Sequence, residues 1–200
     1  MSKKYIAEFI GTFTLSFIVL LAVSFSGNLP LAVPMIASLT LALFVYTIGP
    51  FSGCHINPAV TLGQLSVDKI SRPEAINYII AQLLGGAGAL FVAKMFVVTT
   101  ALSGGDFSIL VFLAEMLGAF LFNFGIAAVV YGKVKDQMSG LVVGGSLLLG
   151  VMVASFAGAN GILNPAVAVA LNSLNIIYGL APIAGAVLAF KSYKYLSSSK

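Results

Sequence analysis

The sequence repeats one tetrapeptide: Asn57-Pro58-Ala59-Val60 returns as Asn164-Pro165-Ala166-Val167, which is 107 positions later. Each copy opens a short apolar piece, residues 58–65 and 165–171, which is about half as long as a membrane-spanning helix. Asn is a favoured N-cap and Pro is favoured at the first helical position, so both copies predict helices that begin at the prolines. One such tripeptide occurs often by chance. Two copies that both open half-length helices indicate a shared functional feature.

The residues around this tetrapeptide repeat as well. Residues 7–13, which contain Glu8, match residues 114–120, which contain Glu115, at the same offset of 107. Residues 78–81 match residues 178–181 at an offset of 100, so the second copy is shorter before its last helix. We therefore expect a single domain, residues 1–200, with repeats at about 5–98 and about 107–195.

The composition predicts that the protein lies in a membrane. Apolar residues make up 60% of the 200 residues and charged residues 8%, whereas soluble domains carry about 25% charged residues. We expect an all-α protein of the cell membrane with membrane lipid as its solvent. The basic residues do not cluster on one helix, so no nucleic-acid partner is expected.

Six apolar stretches approach the roughly 20 residues that a spanning helix needs: residues 5–25, 31–48, 74–98, 107–131, 140–156 and 176–195. The first one contains Glu8 and is followed by no small-residue cleavage pattern, so we expect a retained helix rather than a signal peptide. Three spans per repeat is an odd number, so the second repeat enters the membrane from the opposite face. In such inverted repeats the functional site usually lies at the midplane.

Charge predicts the orientation of these spans. With six spans, nine of the ten Lys and Arg residues fall on one side, and the positive-inside rule makes this side and both termini cytoplasmic. Lys94 departs from the pattern. The nine residues are Lys3, Lys4, Lys69, Arg72, Lys133, Lys135, Lys191, Lys194 and Lys200.

These motifs resemble the aquaporin and glycerol-facilitator (major intrinsic protein) family along nearly the whole chain. The resemblance implies six tilted transmembrane helices plus two half-helices stacked end to end, and a homotetramer in which each subunit has its own pore. No cofactor is expected. The matching residues are Ala7-Glu8-Phe9, Gly11-Thr12-Phe13, Ser52 to Thr61, Ala81-Gln82, Gly85, Ala114-Glu115 and Asn164-Pro165-Ala166.

Two opposed half-helices would concentrate positive potential at the pore centre, since each N-terminus carries about half a positive charge. The side-chain amides of Asn57 and Asn164 would donate hydrogen bonds to a passing solute, while ions meet an electrostatic barrier. Backbone carbonyls of residues 53–56 and 158–163 would form a ladder of acceptors along the pore.

A carboxylate in the bilayer core is costly without partners, and Glu8 and Glu115 both lie inside predicted spans. The resemblance implies that both accept hydrogen bonds from the loops that carry the Asn-Pro-Ala motifs, with Gln82 helping. Position alone leaves open that Glu8 instead reaches the cytoplasmic interface. His55 has no second ligand nearby in sequence, so we expect no metal site. The resemblance implies a structural or pore-adjacent role for this residue.

The chain departs from the family directly after the second motif. Family members usually carry an arginine there, as part of a narrow outer filter, and this chain has Val167. Counting back without gaps places the other filter positions at Ala37, Met152 and Gly161. Such a filter is wide and apolar, which favours glycerol, urea, ammonia or gases alongside water.

The leading hypothesis is a passive channel for water or small uncharged solutes. A secondary transporter also uses inverted repeats and broken helices, but the predicted midplane has no acid, Arg or His pair to couple ions. A non-conducting aquaporin-like scaffold stays open because of the missing arginine. An enzyme is the least expected, since one histidine, one cysteine and six acids offer no recognisable catalytic set.

Overall fold

The computed structural model describes residues 2–25, 32–97 and 108–198, and these residues form α-helices with no strand. A single 3₁₀ turn, Asp136–Met138, precedes the seventh helix. In chain order the α-helices are α1 (Lys3–Phe25), α2 (Ala32–Thr47), α3 (Gly49–Ser52), α4 (Pro58–Leu65), α5 (Arg72–Ala93), α6 (Ile109–Val130), α7 (Ser139–Phe156), α8 (Pro165–Ala170) and α9 (Ile176–Ser197).

Five of the predicted spans are long apolar helices within the described residues: α1, α5, α6, α7 with its preceding turn, and α9. The remaining predicted span, residues 31–48, corresponds to α2, which has 16 residues. Helical hydrogen bonds continue beyond the end of α2. Ile48 N donates to Phe44 O at 2.9 Å and Gly53 N donates to Gly49 O at 2.8 Å. Residues 32–52 therefore run almost continuously through α2 and α3, which gives a length of about 30 Å. The fold has the dimensions of a multi-pass membrane protein.

Corresponding helices of the two halves pack in corresponding ways. Helix α1 lies along α5 and α6 lies along α9, while α2 and α7 pack against each other between the halves. Glycines permit close approach: a Cβ on Gly85 would lie 2.8 Å from Phe9 O, and one on Gly185 would lie 2.9 Å from Phe120 N. Small residues let apolar helices pack backbone to backbone in this manner.

The two short helices, α4 and α8, are called the half-helices below. They begin at Pro58 and Pro165, where the sequence predicts their starts. Each packs against the other half, α4 against α9 and α8 against α5 and α1. Their N-caps are the two motif asparagines, since Asn57 Oδ1 accepts from Ala59 N at 2.8 Å and Asn164 Oδ1 accepts from Ala166 N at 3.0 Å.

Basic residues gather at one end of the bundle, which is called the basic end below. Lys4 Nζ lies 2.6 Å from Glu74 Oε1, and Lys194 Nζ lies 3.9 Å from Asp68 Oδ2. Lys69 Nζ lies 4.5 Å from the centre of the Tyr131 ring. These contacts bring the starts of α1 and α5 and the ends of α4, α6 and α9 to the same end of the molecule.

Candidate functional site

The two half-helices meet at their N-termini through a reciprocal pair of hydrogen bonds. Asn57 Nδ2 donates to Leu163 O at 3.0 Å, and Asn164 Nδ2 donates to Ile56 O, also at 3.0 Å. Each side chain therefore caps its own half-helix with its oxygen and holds the opposite loop with its nitrogen. This junction brings the positive ends of two helix dipoles together.

The loop before α4 is held by the buried carboxylate of Glu8. Its Oε1 accepts from Ser52 Oγ at 2.7 Å and from His55 N at 2.9 Å. Its Oε2 accepts from Ile56 N at 2.6 Å and from Gln82 Nε2 at 2.8 Å. Glu8 is fully buried, so its side chain does not reach the interface, and four donors balance the cost of burying a carboxylate.

Glu115 holds the loop before α8 in a simpler way. It accepts from Ile162 N at 3.1 Å and from Leu163 N at 3.0 Å. Glu115 is fully buried as well. Its hydrogen-bond partners are thus backbone groups, whereas Glu8 also engages two side chains.

His55 belongs to a polar network beside α4. Its Nδ1 lies 3.1 Å from Thr61 Oγ1, and Gln82 Nε2 donates to the same hydroxyl at 3.0 Å. The edge of the Tyr78 ring faces His55 with the ring centres 5.0 Å apart, and Tyr78 Oη donates to Ser52 O at 2.8 Å. Among the described residues, no group of three His, Cys, Asp or Glu side chains comes together to hold a metal ion.

A cavity of about 240 Å³ leads away from the asparagine junction. It lies between the ends of α1 and α7, the start of α2 and the loop before α8, so it opens toward the end opposite the basic end. Its lining residues are Leu15, Val19, Val23, Val33, Pro34, Ala37, Leu41, His55, Ile56, Asn57, Phe122, Leu147, Val151, Ser155, Asn160, Gly161, Ile162, Asn164, Val167 and Leu171.

Three of the four predicted filter residues, Ala37, Gly161 and Val167, line this cavity, and Met152 does not. On α7 the lining residues are Leu147, Val151 and Ser155. One residue turns a helical side chain by about 100°, so Met152, which follows Val151, lies off this face.

Gly161 is required at its position by both conformation and space. Its φ is +67°, which glycine adopts without steric cost. An added Cβ would also lie 2.8 Å from Val151 O and 3.0 Å from Ser155 Oγ. The absence of a side chain here lets the loop before α8 lie directly against α7.

Two carbonyls of the predicted ladder also hold the junction. Ile56 O and Leu163 O, the last carbonyls before the two asparagines, accept hydrogen bonds from the opposite asparagine side chains. A carbonyl oxygen has two lone pairs, so each can still accept a second hydrogen bond.

The sequence reasoning missed several polar residues of the site. Ser52 and Thr61 lie within the stretch that carries the resemblance, so their position was a usable signal. Asn160 and Ser155 line the cavity, and Asn160 Nδ2 donates to Tyr178 Oη at 2.6 Å. The only available signal for Asn160 was a polar residue close before the second motif.

Comparison with known proteins finds similar sequences and a similar fold over nearly the whole chain. The family model described as "Major intrinsic protein" matches residues 1–193. The chain is 32% identical to Aquaporin AqpM of Methanothermobacter thermautotrophicus, covering 99% of this chain and 98% of that one. It is 36% identical to Glycerol uptake facilitator protein-like 6 of Lactiplantibacillus plantarum, over 94% of each chain. The X-ray structure of the aquaglyceroporin from Plasmodium falciparum shares the fold, with a TM-score of 0.73 at 21% identity over 95% of this chain and 94% of that one.

Proposed function

Because the chain belongs to the major intrinsic protein family, we propose that it is a passive transmembrane channel for water and small uncharged solutes. The observation that carries the proposal is the reciprocal junction of Asn57 and Asn164 at one end of the cavity. A carboxamide has two N–H donors. Each asparagine can hold the opposite loop with one donor and offer the other to the oxygen of a passing solute.

Exclusion of ions follows from the same junction. Two helix N-termini that face each other raise the potential for cations and protons at this point, and a neutral solute exchanges hydrogen bonds there at little cost. Glu8 and Glu115 act as scaffolds, because their oxygens are occupied by the two loops. Gln82 and His55 support the loop of the first half.

The filter of this channel consists of Ala37, Val151, Gly161 and Val167. These residues line the cavity and offer no fixed cation and no aromatic ring, so the opening is wider and less polar than an arginine filter. We infer that glycerol or urea passes as well as water. This solute range suits the similarity to both the aquaporin and the glycerol uptake facilitator named above.

The arrangement in the membrane is part of the proposal. We place the basic end and both termini in the cytoplasm, because the positive-inside rule applies to the clustered lysines and arginines. Two inverted repeats, residues about 5–98 and about 107–195, form the single channel domain. The exposed apolar side chains of the long helices suit contact with lipid and with further subunits of a homotetramer.

A stopped-flow experiment tests this function. The purified protein is reconstituted into vesicles, and light scattering follows permeation of water, glycerol and urea at matched protein density. We expect faster exchange than in protein-free vesicles for water and for at least one solute, with no accumulation against a gradient. No increase for any of the three would favour the non-conducting scaffold, and uphill accumulation would favour a transporter.

A further inference from the structure

The polar side chains in the cavity lining fall into two separate groups. His55, Asn57 and Asn164 lie at the junction of the half-helices, and Ser155 and Asn160 lie at the outer mouth. The other residues in the described lining are apolar or glycine. A solute that enters from outside therefore meets one polar pair, then an apolar passage, and then the junction.

Ser155 and Asn160 both lie near Gly161. Ser155 follows Val151 by one helical turn on α7, and its Oγ lies 3.0 Å from the point that a Cβ on Gly161 would occupy. Asn160 is the residue before Gly161. Both side chains are exposed at the mouth, so their polar atoms are accessible to a solute.

Asn160 is held in one orientation by the protein. Its Nδ2 donates to Tyr178 Oη at 2.6 Å, and Tyr178 is only 2% exposed. The backbone N–H of Tyr178 donates to Asn175 Oδ1 at 3.0 Å, which caps α9. A braced amide loses less conformational entropy when it binds a solute, and such preorganisation strengthens binding.

The other described residues that line the mouth are apolar. Val23, Val33, Pro34 and Leu171 line it on the helices around the polar pair. The mouth thus offers one hydrogen-bonding edge and one apolar edge, with no charged side chain in the described lining. This surface suits a small neutral molecule with several hydrogen-bonding groups.

We propose that Ser155 and Asn160 form a solute-selection site at the mouth, for small neutral solutes with at least two hydrogen-bonding groups, such as polyols and urea-like amides. The inference rests on the proposed channel function and specifies its solute class. A hydroxyl and an amide together supply donors and acceptors that replace part of the hydration shell before the solute enters the apolar passage. A dissolved gas gains nothing from this pair.

Two single substitutions test the site in the same vesicles. We expect Ser155→Ala and Asn160→Ala each to lower the ratio of glycerol and urea permeability to water permeability by about fivefold, the effect of one lost hydrogen bond. Water permeability itself should stay within about twofold, because water can be bound by the carbonyls of the loop. Ser155→Ala removes one exposed oxygen and leaves the packing of α7 intact, so the test does not depend on the asparagine variant alone.

The chain offers a matched control for each variant. Ser146→Ala makes the same change on the same helix, where Ser146 packs against Gly125 and does not line the cavity. Asn77→Ala removes a similar amide, which donates to Tyr5 Oη at 3.2 Å near the basic end. Both controls should keep the wild-type permeability ratio.

The outcomes separate this inference from the channel proposal. If wild-type protein conducts and both mouth variants keep the wild-type ratio, the selection site is wrong and the channel function stands. A parallel loss of water and solute permeability would also overturn the site, because it would show a structural role. If wild-type vesicles conduct neither water nor solutes, both proposals fail together.

Discussion

In the first half of the molecule, Glu8 holds the loop before α4 through two backbone amides and the side chains of Ser52 and Gln82. In the second half, Glu115 holds the loop before α8 through backbone amides. The positions that correspond to Ser52, His55, Thr61 and Gln82 carry apolar residues in the second half: Ala159, Ile162, Ala168 and Pro182.

The junction between the halves does not share this asymmetry. Asn57 and Asn164 make the same bonds at the same distance of 3.0 Å. The comparison indicates that the junction requires symmetry, because both dipoles and both amides face one solute path. The supports differ although residues of both halves line the same cavity.

We expect the largest difference between the two halves when an arginine replaces the valine directly after each Asn-Pro-Ala motif. Val60 is 1% exposed and does not line the cavity, whereas the equivalent Val167 is 5% exposed and lines it. Val60→Arg buries a charge without a partner, which is too costly for a stable fold. Val167→Arg can direct its guanidinium into the cavity, where it restores a narrow filter.

Membrane expression and vesicle assays measure both variants. We expect at least about tenfold less folded Val60→Arg protein, and Val167→Arg yield within about twofold of wild type. Val167→Arg should lower glycerol and urea permeability relative to water. Unchanged solute permeability in that variant, or normal folding of Val60→Arg, would contradict this account of the two valines.

Removal of each buried carboxylate should have the next largest effect. Glu8→Ala leaves four hydrogen-bond donors without their acceptor, and Glu115→Ala leaves two, Ile162 N and Leu163 N. An unsatisfied buried group costs about 1–3 kcal/mol. We expect both variants to lose monodispersity in detergent at lower temperature than wild type, with the greater loss for Glu8→Ala.

Glutamine substitutions at positions 8 and 115 should reverse this order, so that the greater loss of heat stability occurs at position 115. The new amide at position 8 would face one backbone donor, His55 N or Ile56 N, but it can also donate to Ser52 Oγ, or to Gln82 after its amide rotates, so it keeps one acceptor. The amide at position 115 would face backbone N–H groups, which are also donors. Glu115→Gln should therefore be less heat-stable than Glu8→Gln in the same chromatographic assay, and equal stability would show that side-chain partners do not matter.

The sequence predicts the position of a residue best when that residue lies close to a motif along the chain. The tetrapeptide fixes Pro58, Pro165 and Val167 directly, since a cap and a proline define where each half-helix starts. The third repeat match similarly relates Tyr78 to Tyr178. Met152 is predicted by counting across a loop, and it lies one position after Val151, which lines the cavity. A helical residue changes face with each step, so counting without a local anchor cannot fix its direction.

Hydrogen bonds between residues far apart in the chain could not be predicted from the sequence, for a different reason. The bonds from Asn57 to Leu163 and from Asn164 to Ile56 join residues more than 100 positions apart. Nothing in either loop specifies whether its last carbonyl faces a solute or the other half. The bond between Asn160 and Tyr178 depends in the same way on how α9 packs beside the second loop.

Alanine at each motif asparagine tests the symmetry of the junction. Asn57→Ala and Asn164→Ala each remove a cap bond and a bond to the opposite loop, and Asn164→Ala also removes a longer second cap bond from Val167 N at 3.5 Å. We expect both to lower heat stability and water permeability by similar amounts, with a stability loss of about 1–3 kcal/mol each. A difference of more than about tenfold in water permeability between them would show that the junction is not functionally symmetric.

The smallest effects are expected from the two equivalent tyrosines, which support their loops for different purposes. Tyr78 Oη donates to Ser52 O at 2.8 Å, beside Glu8, whereas Tyr178 Oη accepts from Asn160 Nδ2 at the mouth. Each Phe substitution removes one hydrogen bond, so each should cost about 1 kcal/mol of stability. Tyr78→Phe should leave the ratio of glycerol to water permeability unchanged. Tyr178→Phe should lower that ratio about two- to fivefold, because Asn160 loses the bond that orients it. An equal fall of the ratio in both variants would mean that the tyrosines only stabilise their loops, and an unchanged ratio in both would mean that the orientation of Asn160 does not select solutes.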